Sequence, residues 1–422
     1  MTTNISLAPG VTLRALQTDK FKTGCFSINF LRQHNGSNAA LDALLPSVLL
    51  RGTERYPDIQ AISNRLDALY GSTFGTMVRR KGETKLLGFY ADFLEDCFIP
   101  EGGIFAGMLE FLEQVLYHPY TEDGIFCADY VEGEARNLIN TIEASLNDKR
   151  AYAYNRLMEE MCKDEDYGVP RLGTVEDVQA ITPESLWKHY QKTLAYCPIE
   201  IFYGGRLSPE EVAEAFRPLF ANRQEARWET SHTTLVPPPT EPHEIIQFMD
   251  VTQGKLVIGL RSEIIGNHPD YMALTLLNAV YGGGMTSKLF LNVREKRSLC
   301  YYASSSYDRY KGIFLISSGI ASNHYNIAKD AILEELEACK RGEITQEELE
   351  SARSQIISAI RSAMDMPNRL DDFFIGQSIL DGPDLSEQIE LIQKLTVEDL
   401  ARAAKQLTLD TTYFLRGQPI CV

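Results

Sequence analysis

Two hydrophobic rhythms alternate along the chain, and the alternation runs through twice. Near the start of each half lies a segment with the period of two that suits a strand: Cys25-Phe26-Ser27-Ile28-Asn29-Phe30 and Lys255-Leu256-Val257-Ile258-Gly259-Leu260. Apolar helices are predicted next, over Ala39 to Leu50 and Ala273 to Val280. A polar helix and a strand then end in a basic turn, Arg79-Arg80-Lys81-Gly82 in one half and Arg309-Tyr310-Lys311-Gly312 in the other. Long amphipathic helices follow. Each half closes on a similar phrase, Gln179-Ala180-Ile181-Thr182-Pro183-Glu184-Ser185-Leu186 against Gln393-Lys394-Leu395-Thr396-Val397-Glu398-Asp399-Leu400. Thr182 and Thr396 are the predicted helix caps.

The two closing phrases lie about half the chain apart, so the element order predicts an internal duplication. Between the halves, Pro237-Pro238-Pro239 and Pro242 sit among Thr, Ser and Glu. Proline removes backbone donors and stiffens the chain, which marks a linker. The expected organisation is a first domain over 1–229, a linker over 230–243 and a second domain over 244–422. Each domain is expected to be α+β, an antiparallel sheet with helices packed on one face. Two such domains on a long linker can close on something held between them.

Length and composition support this division. The 422 residues exceed one ordinary core, and 44% apolar with 23% charged residues is the balance of a globular chain. The net charge of −17, spread along the chain, argues against nucleic acid as a partner and favours basic or neutral peptides over phosphate-rich ligands. Eight cysteines (Cys25, Cys97, Cys127, Cys162, Cys197, Cys300, Cys339, Cys421) stand far apart without a Cys-x-x-Cys pair, the pattern of buried thiols in a reducing compartment. The first residues lack the basic start and apolar core of a signal peptide, and no apolar run approaches a membrane span. A cytoplasmic protein with no membrane contact is the expectation.

The chemistry lies in two stretches. Leu49-Leu50-Arg51-Gly52-Thr53-Glu54-Arg55-Tyr56-Pro57, followed by Leu66-Asp67-Ala68-Leu69-Tyr70-Gly71, resembles the segment after the zinc helix of pitrilysin/insulinase-type zinc peptidases, the inverzincins. In active members that helix carries His-x-x-Glu-His: the two histidines share a helix face as zinc ligands and the glutamate is the general base. Counted back from Gly52-Thr53, the three positions are Ala43, Pro46 and Ser47. Alanine has no donor atom, proline has no basic side chain and a neutral serine hydroxyl is a poor zinc ligand. Pro46 also removes a helix hydrogen bond, so the helix is expected to kink there or begin near it. The family's third ligand, a later glutamate, falls at Thr141, and Glu134 resembles the supporting glutamate upstream. The same stretch, with Glu132, Glu134 and Arg136, reads better as a solvated helix face. The seven histidines include no pair at ligand spacing on one helix, and no serine elbow, phosphate loop or dinucleotide fingerprint occurs.

The second stretch runs Tyr281-Gly282-Gly283-Gly284-Met285-Thr286-Ser287-Lys288-Leu289-Phe290-Leu291-Asn292-Val293-Arg294-Glu295-Lys296-Arg297-Ser298-Leu299-Cys300-Tyr301. It resembles the C-terminal domain phrase of the same family, a glycine turn leading to a helix and a strand. Gly282, Gly283 and Gly284 are expected to give a flexible backbone that can approach a ligand, and Thr286 to cap the helix. The resemblance implies that Arg294 and Tyr301, seven residues apart, hold the substrate backbone near a zinc ion. Guanidinium offers fixed donors to peptide carbonyls, and a phenol can hydrogen-bond an oxyanion. The plainer reading is that Arg294 complements the helix dipole and Tyr301 packs in the strand Leu299 to Ala303.

The resemblance covers nearly the whole chain and extends to Gly342-Glu343-Ile344-Thr345-Gln346-Glu347-Glu348-Leu349. It implies the mitochondrial-processing-peptidase-like metallohydrolase fold. Some bacterial members are two-chain peptidases in which one subunit carries His-x-x-Glu-His and the other the Arg/Tyr pair. This chain has the second complement, and it is also similar to the silent member of paired peptidase-like proteins associated with modification of elongation factor P. The implied function is a non-catalytic, substrate-binding subunit with no cofactor of its own. Its partners would be a homologous active subunit holding zinc and a peptide substrate, with self-pairing in isolation left open. The alternative is a structural or peptide-binding scaffold.

Overall fold

Both period-two segments become central strands. The computed structural model describes residues 2–223 and 233–417, so 224–232 and Cys421 lie outside the described residues, as do the first three positions of the expected linker. In chain order the strands are β1 (Thr3–Ala8), β2 (Val11–Gln17), β3 (Thr23–Gln33), β4 (Thr73–Lys81), β5 (Thr84–Leu94), β6 (Thr121–Glu122), β7 (Ile125–Phe126), β8 (Ile199–Gly205), β9 (His243–Phe248), β10 (Gly254–Arg261), β11 (Cys300–Asp308), β12 (Ile313–Ile320) and β13 (Thr408–Arg416). The helices are α1 (Ala39–Leu49), α2 (Ile59–Ala68), α3 (Ile104–Tyr117), α4 (Ala128–Asn147), α5 (Lys149–Met161), α6 (Val175–Gln179), α7 (Pro183–Tyr196), α8 (Pro209–Phe216), α9 (Tyr271–Gly282), α10 (Tyr325–Lys340), α11 (Gln346–Ala363), α12 (Pro367–Ile379), α13 (Leu385–Lys394) and α14 (Val397–Lys405). A π-helical segment spans Leu289–Lys296. Among the described residues, no helix is long and apolar enough to cross a membrane, and the seven described cysteines are free thiols.

The elements form two compact units. The first gathers the described residues of Met1–Glu143, Val169–His232 and Met366–Ile379; the second gathers those of Ala144–Gly168, Thr233–Asp365 and Leu380–Val422. Each has one large sheet. Five strands of the first run in the order β4-β5-β3-β8-β2, with β1 added at the end, and the second runs β11-β12-β10-β13-β9. The two orders correspond strand for strand. Both sheets are antiparallel except at one pairing, β2 with β8 and β9 with β13. The shared closing phrases cap equivalent helices: Thr182 Oγ1 accepts from Ser185 N–H at 3.2 Å before α7, and Thr396 Oγ1 accepts from Asp399 N–H at 3.3 Å before α14. The basic turns both join edge hairpins, β4–β5 and β11–β12. Gly82 and Gly312 take φ of 59° and 68° there, and a Cβ on Gly312 would lie 2.2 Å from the Ser262 carbonyl oxygen, which explains glycine at that place.

The expected arrangement of helices on one face describes most of them, and a single helix covers the other face in each unit. In the first, Phe26, Ile28 and Phe30 of β3 join a core with Leu44, Leu45 and Val48 of α1 and Met108, Phe111 and Leu112 of α3. The opposite side of the same strand carries Ser27 and Asn29, and there α12 packs: Ser27 and Arg79 bond Asp371, and Phe374 stacks on Phe202 with ring centroids 5.8 Å apart. In the second unit, Val257, Leu315, Tyr413 and Leu415 close over Ala153, Leu157 and Met161 of α5. Each unit therefore borrows its outer helix from the opposite half of the chain. Period-two patterning marks the apolar face of a strand; it does not report that a further segment covers the other face, nor which one. Leu157 is fully buried, and truncating it to alanine should cost about 2–5 kcal/mol.

Candidate functional site

Ala43, Pro46 and Ser47 all lie on α1, in the first unit. The helix does not begin near Pro46. It starts at Ala39 and runs through the proline, whose carbonyl accepts from Leu50 N–H at 3.2 Å. Proline here withholds one donor near the C-terminal turn, while the buried face of Leu44, Leu45, Val48 and Leu49 holds the helix in the core. The position a general base would occupy borders an apolar crevice formed with Phe30, Leu49, Leu116 and Leu194. Ala43 is buried and Ser47 half-buried.

The polar residue next to this face, Asp42, is committed elsewhere. Its Oδ1 accepts from Arg32 Nη1 at 2.9 Å and lies 2.8 Å from His189 Nε2, all three side chains being buried. Sequence reasoning did not find this cluster, because its members come from β3, α1 and α7 and share no spacing.

Thr141 is exposed on α4, and its hydroxyl donates to the Asn137 carbonyl at 2.9 Å. Glu134, one to two turns upstream, pairs with Arg51 at 3.4 Å and accepts from Asn137 Nδ2 at 3.2 Å; Arg51 also lies over the Tyr130 ring at 5.2 Å. Glu132 and Arg136 are exposed. The residues present do not fit zinc: Ala43 and Ser47 offer no nitrogen or carboxylate ligand, the one carboxylate of α1, Asp42, is engaged by Arg32 and His189, and Glu134 is engaged by an arginine. Among the described residues no group of three or more His, Cys, Asp and Glu side chains could hold a metal ion.

Gly282, Gly283, Gly284, Arg294 and Tyr301 lie in the second unit. Tyr281 is fully buried and its hydroxyl donates to the Ile332 carbonyl at 2.8 Å, anchoring the phrase. Gly282 and Gly283 stand where a side chain would be crowded. A Cβ on Gly282 would sit 2.6 Å from Ser305 Oγ and 2.7 Å from Ser305 N, and one on Gly283 would sit 2.7 Å from Ala279 Cα. None of the three has a positive φ. Nor does Thr286 cap the helix: its Oγ1 accepts from the Ser351 hydroxyl at 3.0 Å, while Ser287 Oγ accepts from Phe290 N–H at 3.4 Å.

Three backbone irregularities follow within a dozen residues. First, Leu289–Lys296 is a π-helix, in which Arg297 N–H reaches back five residues to the Asn292 carbonyl at 3.2 Å. Second, Ser298 has φ 51° in the left-handed region, and the next amide, Leu299 N–H, donates to the Val293 carbonyl at 3.1 Å. This is a π-widened form of the closure glycine usually makes at helix ends. Third, Cys300 pairs with Ile320 and Tyr302 with Gly319, so Tyr301 is the extra residue of a β-bulge. Arg294 precedes the turn, its guanidinium 4.5 Å from the Phe290 ring and 3.5 Å from Glu295 Oε1. Tyr301 follows it and is 66% exposed. π-turns, left-handed non-glycine residues and bulges each concentrate at functional sites.

A cleft of about 680 Å³ lies elsewhere in the first unit, beside Tyr117, Tyr196 and Arg223, and none of Ala43, Pro46, Ser47, Thr141, Arg294 and Tyr301 lines it.

Two sheets of corresponding strand order, each with a borrowed outer helix, make a duplicated α+β scaffold, and the positions expected of a zinc site carry Ala43, Pro46 and Ser47. Comparison with known proteins agrees. The profile described as "Peptidase M16 inactive domain" matches residues 180–356. A Bacillus subtilis (strain 168) protein described as a probable inactive metalloprotease, YmfF, is 31% identical over 419 residues, spanning 97% of this chain and 96% of the relative. The crystal structure of a conserved protein from Enterococcus faecalis V583 matches with a TM-score of 0.93 and 28% identity over 99% of both chains. An M16 inactive domain from Pseudomonas fluorescens shares the fold, with a TM-score of 0.82 at 20% identity over 100% of this chain and 99% of that one. This chain belongs to the M16, pitrilysin-type, peptidase family.

Proposed function

We propose that this chain is the non-catalytic, substrate-binding subunit of a two-chain zinc metallopeptidase. It supplies Arg294 and Tyr301, and a homologous partner carries His-x-x-Glu-His with its zinc. One observation carries the reading: the zinc helix has Ala43, Pro46 and Ser47 in place of ligands and base, while Arg294 and the exposed Tyr301 stand on a segment bent three times. The guanidinium offers donors to a peptide carbonyl, and the phenol donates to the carbonyl oxygen as charge develops on it. The net charge of −17 favours a basic or neutral peptide.

The test is to tag the chain in the cell that makes it, identify what copurifies and assay peptide cleavage by the complex and by each chain alone. The expected result is a homologue bearing His-x-x-Glu-His and cleavage only when both chains are present. A stable complex in which no chain bears that motif would replace this reading with a scaffold role. The contacts of Arg294 with Glu295 and Phe290 favour that second reading, since they suit simple packing.

A further inference from the structure

The left-handed turn between Arg294 and Tyr301 has no assigned role, and its backbone is over-determined on both sides. Before it, the π-helix is pinned into the unit by buried Leu289 and Val293, by Lys288 Nζ on Glu348 at 2.9 Å and by Asn292 Nδ2 on Glu335 at 2.8 Å. After it, Tyr302 is held on the neighbouring strand. A Cβ on Gly319 would lie 2.5 Å from the Tyr302 ring, so the ring occupies the space that glycine leaves, and Arg150 packs on it at 4.4 Å from the ring centroid. With both flanks fixed, the geometry between guanidinium and phenol is set by the residues between them. The wide helical turn and the bulge each insert backbone that a regular helix–strand junction lacks. Ser298 joins the two in a conformation that β-branched side chains avoid and that glycine or asparagine adopts readily.

We propose that Ser298 is a positioning residue, whose left-handed turn fixes the offset between Arg294 and Tyr301 so that both address the main-chain carbonyls of one extended peptide. The inference rests on the two-chain reading above. The pair is thus preset before substrate arrives, which is where orientation of donors gains rate.

The test uses the full chain reconstituted with its active partner and a peptide substrate. Ser298→Gly and Ser298→Asn keep the turn and should hold kcat and KM within about twofold of wild type. Ser298→Val disfavours it and should lower kcat at least tenfold, the order of one misaligned donor, with KM changed less than threefold. Amide exchange on the isolated chain supplies the matching structural readout, with Leu299 N–H protected in the wild type, Ser298→Gly and Ser298→Asn but not in Ser298→Val. Should Ser298→Val fail to fold, Ser298→Thr, also β-branched but smaller in its change of polarity, takes its place with the same expected order of kcat. If Arg294→Ala and Tyr301→Phe lower turnover while Ser298→Val leaves kcat unchanged, the positioning role is wrong and the two-chain reading stands. If all of these variants cleave as wild type does, both fall. Equal loss in Ser298→Gly and Ser298→Val would also overturn it, since glycine retains the turn.

Discussion

Lys311 and Glu165 form a buried charge contact in the second unit, Nζ to Oε2 2.6 Å apart with none of the lysine side chain exposed. Arg261 grips the other oxygen of Glu165 at 2.5 Å and Asp410 at 2.6 Å. In the first unit Lys81 stands at the matching place in its own basic turn and reaches Asp372 at 2.8 Å, while Arg79 reaches Asp371 at 2.7 Å. These three acidic partners belong to borrowed segments, Asp371 and Asp372 to α12 and Glu165 to the stretch just after α5. The basic turns of the two halves therefore secure the exchanged helices, which gives a physical role to a repeat visible in the sequence only as Arg-x-Lys-Gly.

Removing one member of such a cluster should be expensive, because the remaining charges keep only part of their compensation, Arg261 with Asp410 and Arg79 with Asp372. Glu165→Ala and Asp371→Ala are each expected to destabilise the chain by about 3–5 kcal/mol. Urea denaturation followed by circular dichroism measures it. A loss under 1 kcal/mol in both would mean that apolar packing alone holds the exchanged helices.

A second prediction concerns pH. Burial pushes His34 down from 6.5 to about 4, helped by the positive charges of Lys85 and Arg80 and opposed by its contact with the Val169 carbonyl. The unfolded chain takes up the proton near 6.5 while the folded chain stays neutral until about 4. Between these values the unfolded state binds more protons, so stability falls as pH falls, by at most about 1.4 kcal/mol per pH unit from this residue. His34→Gln should flatten that slope. Comparing urea midpoints of variant and wild type at pH 7.0, 5.5 and 4.5 isolates the effect, and parallel curves would refute it.

Much of the architecture was legible because it depends on local periodicity. The strands around Ile28 and Ile258, the α1 and α9 helices and the threonine caps all follow from spacing and from hydrogen-bonding side chains. The helix exchange was not legible, since Leu157 and Phe374 look like ordinary apolar helix residues whichever sheet they cover. The crowding at Gly282 was not legible for a similar reason: a glycine that makes room for Ser305 and one that frees the backbone are the same letter. Ser298 gave no signal at all, because serine is only occasionally left-handed and the π-turn before it depends on contacts to Glu335 and Glu348. The ion cluster of Arg32, Asp42 and His189 likewise assembles from three elements distant in sequence.

The isolated chain should bind no stoichiometric zinc after extensive dialysis, given Ala43, Pro46 and Ser47 on α1 and the engagement of Glu134 by Arg51. Ala43→His combined with Ser47→His should not restore hydrolysis, since no base stands at Pro46 and Thr141 supplies no carboxylate. Metal analysis by mass spectrometry and a peptide cleavage assay are the measurements. One zinc per chain in the wild type, lost on Glu134→Ala, would show a metal site built from other residues.

The last prediction bears on function directly. If Arg294 and Tyr301 meet a peptide carbonyl as charge develops on its oxygen, they contribute in the transition state more than in the ground state, and their loss should appear in kcat. Loss of one oxyanion donor typically costs about 100- to 1000-fold in rate. Arg294 shares its charge with Glu295 and keeps part of its surface in water, which weakens its effect, so tenfold is the lower bound expected for either variant. Arg294→Ala and Tyr301→Phe should each reduce cleavage by the reconstituted pair at least tenfold and leave the subunits associated on gel filtration. Tyr301→Phe is the sharper of the two, because it removes only a hydroxyl from a side chain that is 66% exposed and so leaves the packing intact. Cleavage unchanged in both variants, with assembly intact, would leave Arg294 to its contacts with Phe290 and Glu295 and move the chain to a structural role.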